Sequence, residues 1–501
     1  MAEFAKGGKI QTKRSLVPAK LDNMPWSKFH WLVVVTLGIT WILDGLEIQF
    51  ASAISTTLQR PDTLHLSTQS VTLTASIYLL GEVIGALVFG RLADTLGRRR
   101  LFLVTLGLYL VFNGLSGFAF DFWSLIILKF IAGMGIGGEY AAINSAIDEL
   151  IPARFRGRVD IAINGTYWAG AAMASAISLA LLDHNLIPAN WGWRIALFVG
   201  PIIGISIWQL RKHIPESPRW LISHGRVEEA EEIVAKIEAD IRASGKDIPE
   251  VGDDKAVEVR EYPPITYGEI TRVMIRKYPT RSILGFSLMT TQSFLYNAIF
   301  FTQGIVLAKF FGVPDAALPY FFFPFAIGNL IGPLALGPFF DIIGRRKLIS
   351  STYIVSGTLL LLSGYLFWIG ALNAVTQTIL WCVIFFIASA GASSGYLTVS
   401  EIFPLELRGQ AISYFFAISQ FCGGVIAPWL FGLLIGEATS RTPLFWGYVF
   451  GAALMIVGGL VAAFLGVDAE RKSLEDIATP LSVVQKPAAG TTPQTAPGAP
   501  A

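Results

Sequence analysis

A few ionisable residues stand inside stretches otherwise built from apolar side chains. Charge at membrane depth is costly and marks a functional site by default, so chemistry is sought there first. Asp44 and Glu47 lie one turn apart in Trp41-Ile-Leu-Asp44-Gly45-Leu-Glu47-Ile, which places both carboxylates on one helical face. Two acids sharing a low-dielectric site resist ionising together, and that gives proton binding something to be coupled to. A structural pair satisfied by polar neighbours is the alternative. Lys129 opens Lys129-x-x-x-Gly133-x-Gly135-x-Gly137, where the glycines let another helix approach closely. It is placed to pair with an acid of the first helix, so that a proton on Asp44 releases it; snorkelling towards the interface is the other reading. Glu82, between Gly81 and Gly85, and Glu139, after Gly137-Gly138, are further cavity candidates.

A polar solute also needs uncharged partners. The spacing Gln292-x-x-x-x-Asn297 supplies amides that both donate and accept, which suits hydroxyls and carboxylates alike. Hydrogen bonding between helices is the alternative use of each amide. No enzymatic constellation is visible. The histidines (His30, His65, His184, His213, His224) have neither metal spacing nor a nucleophile partner, so neither a metal nor a cofactor is expected. The glycine-rich run at 133–138 follows no strand, which argues against a nucleotide site, and nothing points to nucleic acid.

The elements that position these residues follow from composition and run length. Of 501 residues, 53% are hydrophobic and only 15% charged, too little charge to cover a soluble chain of this size. Mean hydropathy is +0.57. Cys382 and Cys422 both fall in apolar runs and read as buried thiols rather than a disulfide. The first apolar stretch, 29–58, is too long for a signal-peptide core. Six spans are expected at about 29–58, 72–93, 101–120, 122–150, 161–182 and 193–211, and six more at about 282–310, 320–340, 348–372, 378–403, 411–434 and 444–467. The fold class is therefore all-α and integral to a membrane: twelve transmembrane helices as two pseudo-symmetric six-helix bundles, with the lipid bilayer as partner.

Lys and Arg gather in alternate short loops and in the first tail, so both termini are expected in the cytoplasm. The resulting units are a tail at 1–28, a first bundle at 29–212, a linker at 213–280, a second bundle at 281–468 and a low-complexity tail at 469–501. Within the linker, Val227-Glu-Glu-Ala-Glu-Glu-Ile-Val-Ala-Lys-Ile has the apolar spacing of a surface helix.

Two repeats make the bundles related. Gly90-Arg-Leu-Ala-Asp94-Thr-Leu-Gly97-Arg98 returns as Gly337-Pro-Phe-Phe-Asp341-Ile-Ile-Gly344-Arg345, an acid, a turn glycine and bases between two apolar runs. Glu149-x-x-Pro152-x-x-x-Arg156-Gly157 returns with the same spacing as Glu401-x-x-Pro404-x-x-x-Arg408-Gly409. The bland use of such pairs is to cap helix ends. The sharper one is a gate, charge pairs that hold two halves together in one state and release them in another.

These loops resemble those of the major facilitator superfamily. Pro215-Glu-Ser-Pro218-Arg219-Trp-Leu and Ser400-Glu401-Ile-Phe-Pro404 resemble its sugar porter branch, taken broadly to include carriers of organic acids and nicotinate-like compounds. The resemblance implies a carrier with a cytoplasmic gate at Gly90, Asp94, Gly97, Arg98, Glu149, Arg156, Asp341, Gly344, Arg345, Glu401 and Arg408. It implies a proton-coupling acid at Asp44, with Glu47 completing a pair similar to that of aromatic-acid symporters and Lys129 where the family usually has Arg. It implies solute contacts at Gln292, Asn297 and Asn164, with Tyr396 and Gln420 where many hexose carriers have Trp; Glu82 joins them as a substrate-binding candidate from its own place in the second span. The missing aromatic platform leaves room for a sugar acid or an aromatic carboxylate beside a sugar. The expectation is proton-coupled uptake of a small polar solute by a monomer. A uniporter, an efflux antiporter and a transporter-like solute receptor are the alternatives; Asn164-Gly-Thr-Tyr-Trp-Ala-Gly170 lacks the Gly-Pro of antiporters, and no signalling module is evident.

Overall fold

The computed structural model describes residues 12–212, 214–253, 256–260, 267–403 and 414–467. The first bundle contains α2 (Lys28–Ala53), α3 (Thr68–Leu96), α4 (Arg98–Ser116), α5 (Phe122–Leu150), α6 (Ala153–Leu181) and α7 (Ala189–Arg211). In the second lie α11 (Pro279–Phe300) with α12 (Gln303–Phe311), then α13 (Leu318–Ile343), α14 (Arg345–Trp368) and α15 (Ala374–Ile402). It closes with a π-helical segment (Gln420–Val425) running into α16 (Ile426–Ile435), and with α17 (Thr442–Leu465). Nine helices among the described residues are long and apolar enough to cross a bilayer, and α11 with α12, bent by 45°, makes a tenth. The remaining two spans, α4 and α6, have 19 and 29 residues and are less apolar, α4 because it opens on three arginines and α6 because polar and small residues such as Asn164, Gly165 and Thr166 run along it.

The repeated loop behaves alike in both bundles. Gly97 separates α3 from α4 at φ 90°, and Gly344 separates α13 from α14 at φ 103°. A side chain is strained in that backbone region, which is why glycine stands at both places.

Close helix pairs fix where the charged residues sit. A Cβ on Gly137 would lie 1.9 Å from the Glu82 carbonyl oxygen, and one on Gly85 2.1 Å from that of Met134, so α3 and α5 touch backbone to backbone. Gly45 and Gly170 do the same for α2 and α6.

Outside the bundles, the beginning of the chain is folded onto the linker. Strand β1 (Thr12–Ser15) pairs antiparallel with β2 (Val257–Arg260), an addition to an otherwise all-α fold. Helix α1 (Val17–Asn23) buries Val17 and Leu21 against Trp220, Leu221, Val234 and Ile237 of α8 (Pro218–Ser223) and α9 (Val227–Ala243). Arg219 donates to Asp22 at 2.7 Å across that joint. Linker helix α10 (Tyr267–Lys277) leads into α11.

The two bundles meet at the end of the molecule remote from this linker. Thr57 Oγ1 donates to Asp315 Oδ2 at 3.4 Å, with His184 Nε2 3.8 Å from the same carboxylate. Nearby, a Cβ on Gly432 would lie 1.9 Å from Thr72 Oγ1. That end is shut.

Candidate functional site

The first bundle encloses an ionic core. Asp44, Glu47, Glu82, Lys129, Glu139 and Arg211 are each between 1% and 5% exposed. Burial this deep demands partners for every charge. Helix α2 carries both acids of the expected pair, and α5 supplies their partners. Lys129 forms an ion pair with Glu47, and Asn113 of α4 braces both, donating to Glu47 Oε2 at 2.6 Å and accepting from Lys129 Nζ at 2.9 Å. Asp44 receives instead the hydroxyl of Tyr140 at 2.5 Å, and its Oδ1 has no hydrogen-bond partner among the described residues. The lysine thus answers Glu47 rather than Asp44, which is met from farther along α5 by Tyr140.

A second buried pair lies towards the linker end. Arg211, at the end of α7, grips Glu139 with both terminal nitrogens at 3.1 and 3.0 Å, donates to Thr40 Oγ1 at 2.5 Å and to the Phe102 carbonyl at 2.9 Å. This fork is what arginine offers and lysine does not.

The amides gather in the second bundle. Gln420 heads the π-helical segment, a geometry found mostly at functional sites. Its Oε1 accepts from Ser293 Oγ at 2.5 Å, and Asn297 Nδ2 donates to the Ser293 carbonyl at 2.8 Å. Gly424 makes room for both, since a Cβ there would lie 2.8 Å from Gln420 Cδ and 3.1 Å from Asn297 Nδ2. Gln420 Nε2 reaches across to Glu82 Oε2 of the first bundle at 3.1 Å. Aromatic rings line the same seam: Tyr140 stacks on Phe416 at 4.8 Å, and Trp168 meets Tyr296 at 5.7 Å. Gln292 has a buried Oε1 with no hydrogen-bond partner among the described residues, 3.7 Å from where a Cβ of Gly395 would be. Asn164 is half-buried on α6.

At the loop end, Gly90 and Glu149 are half-buried and Arg345 lies at the start of α14. Glu149 lines a pocket with Arg99, Arg211 and Ser217. Arg408 lies outside the described residues, as do the side chains of Asp94, Arg98, Arg156, Asp341, Tyr396 and Glu401.

Sequence reasoning missed several members of this site. Asn113 and Ser293 are single polar residues in apolar runs, a weak signal. Tyr140 sits beside Glu139, and Arg211 passes for the end of a span. Glu216, read only as part of a family marker, accepts from the Arg99 backbone N–H with both oxygens at 3.3 Å, capping α4 beside Gly97.

Helices enclosing a buried ionic core and facing amides across a two-bundle seam define a membrane carrier. The sequence pattern of the family described as "Sugar (and other) transporter" matches residues 31–481, and the chain belongs to that family, within the major facilitator superfamily. It is a transporter of small molecules, as its relatives are, and not an enzyme. It is 25% identical to the niacin transporter NiaP of Acinetobacter baylyi, over 92% of this chain and 99% of that one. To the putative metabolite transport protein YdjK of Escherichia coli it is 27% identical, over 92% and 96%. To the glucose transporter GlcP of Staphylococcus epidermidis it is 25% identical, over 89% and 96%. Among solved structures, the xylose symporter XylE bound to 6-bromo-6-deoxy-D-glucose aligns with a TM-score of 0.69 at 18% identity, covering 90% of this chain and 98% of that one. A partially occluded, inward-open XylE from E. coli aligns at 0.67 and 19%, covering 87% and 97%.

Proposed function

We propose that this protein imports a small, polar, uncharged solute together with protons by alternating access, as a monomer in a bacterial inner membrane with its termini and linker in the cytoplasm. Asp44 carries the reading. It is a buried acid of the first span whose described contacts are one phenol and no cation, with an orphaned second oxygen. A proton from solution is the compensation open to such a group. Glu47 and Lys129 form the fixed ion pair beside it.

The charge balance favours the solute class. Of the cations in the first bundle's interior, Lys129 is engaged by Glu47 and Arg211 by Glu139. A carboxylated solute would have to open one of these pairs, whereas a hydroxylated one need only meet the amides of Gln292, Asn297, Asn164 and Gln420. Glucose, the solute in one relative's name, and xylose, in the titles of structural neighbours, suit this site better than niacin. The repeated loops, through Gly90, Asp94, Gly97, Arg98, Glu149 and Arg156 and through Asp341, Gly344, Arg345, Glu401 and Arg408, would form the cytoplasmic gate opposite the shut end.

The test is uptake of labelled xylose, glucose, myo-inositol and nicotinate into proteoliposomes with and without an inside-alkaline pH gradient. At least one neutral sugar or polyol should accumulate uphill only with the gradient, and Asp44→Asn should abolish that accumulation while exchange persists. Accumulation that ignores the gradient, or normal uphill uptake by Asp44→Asn, would overturn the reading.

A further inference from the structure

The bond from Gln420 to Glu82 joins the two bundles at mid-depth, and it joins an acid to a candidate solute contact. Gln420 is also held from its own side by Ser293. The other oxygen of Glu82, Oε1, is buried with no hydrogen-bond partner among the described residues. Within electrostatic reach of this carboxyl stand Asp44 from α2, Tyr78 one turn earlier on α3 and Tyr140 from α5. These are an acid and two phenols with no cation among them, and Gln420 is the donor that comes from the other bundle.

We propose that the contact between Glu82 and Gln420 is the element through which proton binding and solute binding are coupled. This rests on the carrier reading above and adds to it a positioning role for Glu82. When Glu82 is ionised it holds Gln420 by a charge-assisted hydrogen bond, and the amide is occupied. A solute that recruits Gln420 takes that donor from the carboxylate, and a proton taken from solution then compensates the less supported charge. In the other direction, a proton on Glu82 turns the bond into a neutral one of about half the strength, which releases Gln420 towards the solute. Each event favours the other by the same factor, as linkage requires, so proton and solute bind together. Because the bond crosses the seam, its loss also frees the bundles to rock.

Infrared difference spectroscopy of the full chain in lipid nanodiscs, titrated from acid to alkaline pH with isotope-labelled glutamate to separate Glu from Asp bands, tests this without any solute. Glu82→Gln should delete one protonated glutamate band that Asp44→Asn retains. Gln420→Ala should move the midpoint of that band to higher pH, by roughly tenfold in proton affinity. An unchanged glutamate spectrum in Glu82→Gln, or an unmoved midpoint in Gln420→Ala, overturns the proposal. Should Glu82→Gln fail to fold, the midpoint in Gln420→Ala still decides. Failure here leaves gradient-driven uptake untouched, whereas uptake indifferent to the gradient sinks the carrier reading itself.

Discussion

Lys129 on the fourth span is ion-paired with Glu47 on the first, and Asn113 of the third hydrogen bonds to both. Three helices are thereby tied at one buried point. Removing either charge strands the other, at a cost of about 3–5 kcal/mol, whereas an apolar replacement of both is near neutral. Glu47→Gln and Lys129→Met should each lower the melting temperature of the detergent-purified protein markedly. The double variant Glu47→Leu/Lys129→Met should recover most of the loss. Single variants that melt like the parent would contradict the pairing.

Tyr140 is the described donor to Asp44, and a hydrogen bond to an ionised group is worth about 1.5–3 kcal/mol. Taking it away with Tyr140→Phe destabilises the carboxylate, so Asp44 keeps its proton to higher pH. The pH for half-maximal gradient-driven uptake should rise by roughly 1–2 units. A profile that stays in place, or moves towards acid, would exclude a proton role for Asp44.

Arg211 makes a fork that one ammonium cannot reproduce. Arg211→Lys keeps the charge but abandons at least one of its three acceptor groups, and should cost about 1–3 kcal/mol. Thermal unfolding reads the difference. A neutral outcome would mean that the contacts to Thr40 and Phe102 contribute nothing.

The shut end offers a covalent test of alternating access. In a background with Cys382 and Cys422 replaced by Ser, Thr57→Cys with Asp315→Cys should be joined by a short thiol crosslinker, since the native side chains are 3.4 Å apart. Uptake should fall to background and return when a cleavable linker is cut. Full activity of the crosslinked protein would show that this end need not open.

Glycines at the helix crossings should divide into two groups. Gly137→Ala would thrust a methyl group to 1.9 Å from the Glu82 carbonyl and force α3 from α5, while Gly337→Ala meets nothing within 4 Å. The first should yield little folded protein by size-exclusion chromatography and the second normal amounts. Equal yields would refute the tight crossing.

Much of this was legible in the chain, and for identifiable reasons. Long apolar runs must become helices in lipid, where every backbone polar group needs an internal partner, so the spans were fixed by composition. Gly97 and Gly344 stood out as turn residues, and both have the positive φ that turns of this kind use. The beginning of the chain was less legible. Residues 12–27 read as a basic tail, yet β1 and α1 dock on the linker through contacts with residues some 200 positions later, which no local pattern encodes.

By itself the sequence determined which ionisable groups lie at membrane depth, since that depends only on their neighbours along the helix. What only the tertiary structure decided is how they are shared out. Glu47 takes Lys129 and Asp44 takes Tyr140 because α5 packs beside α2 in the folded bundle and brings those two side chains within reach. Glu82 finds Gln420 across 338 residues because two bundles close on one another. Partnership among buried charges is a matter of distance in space, and along the chain that distance is not written.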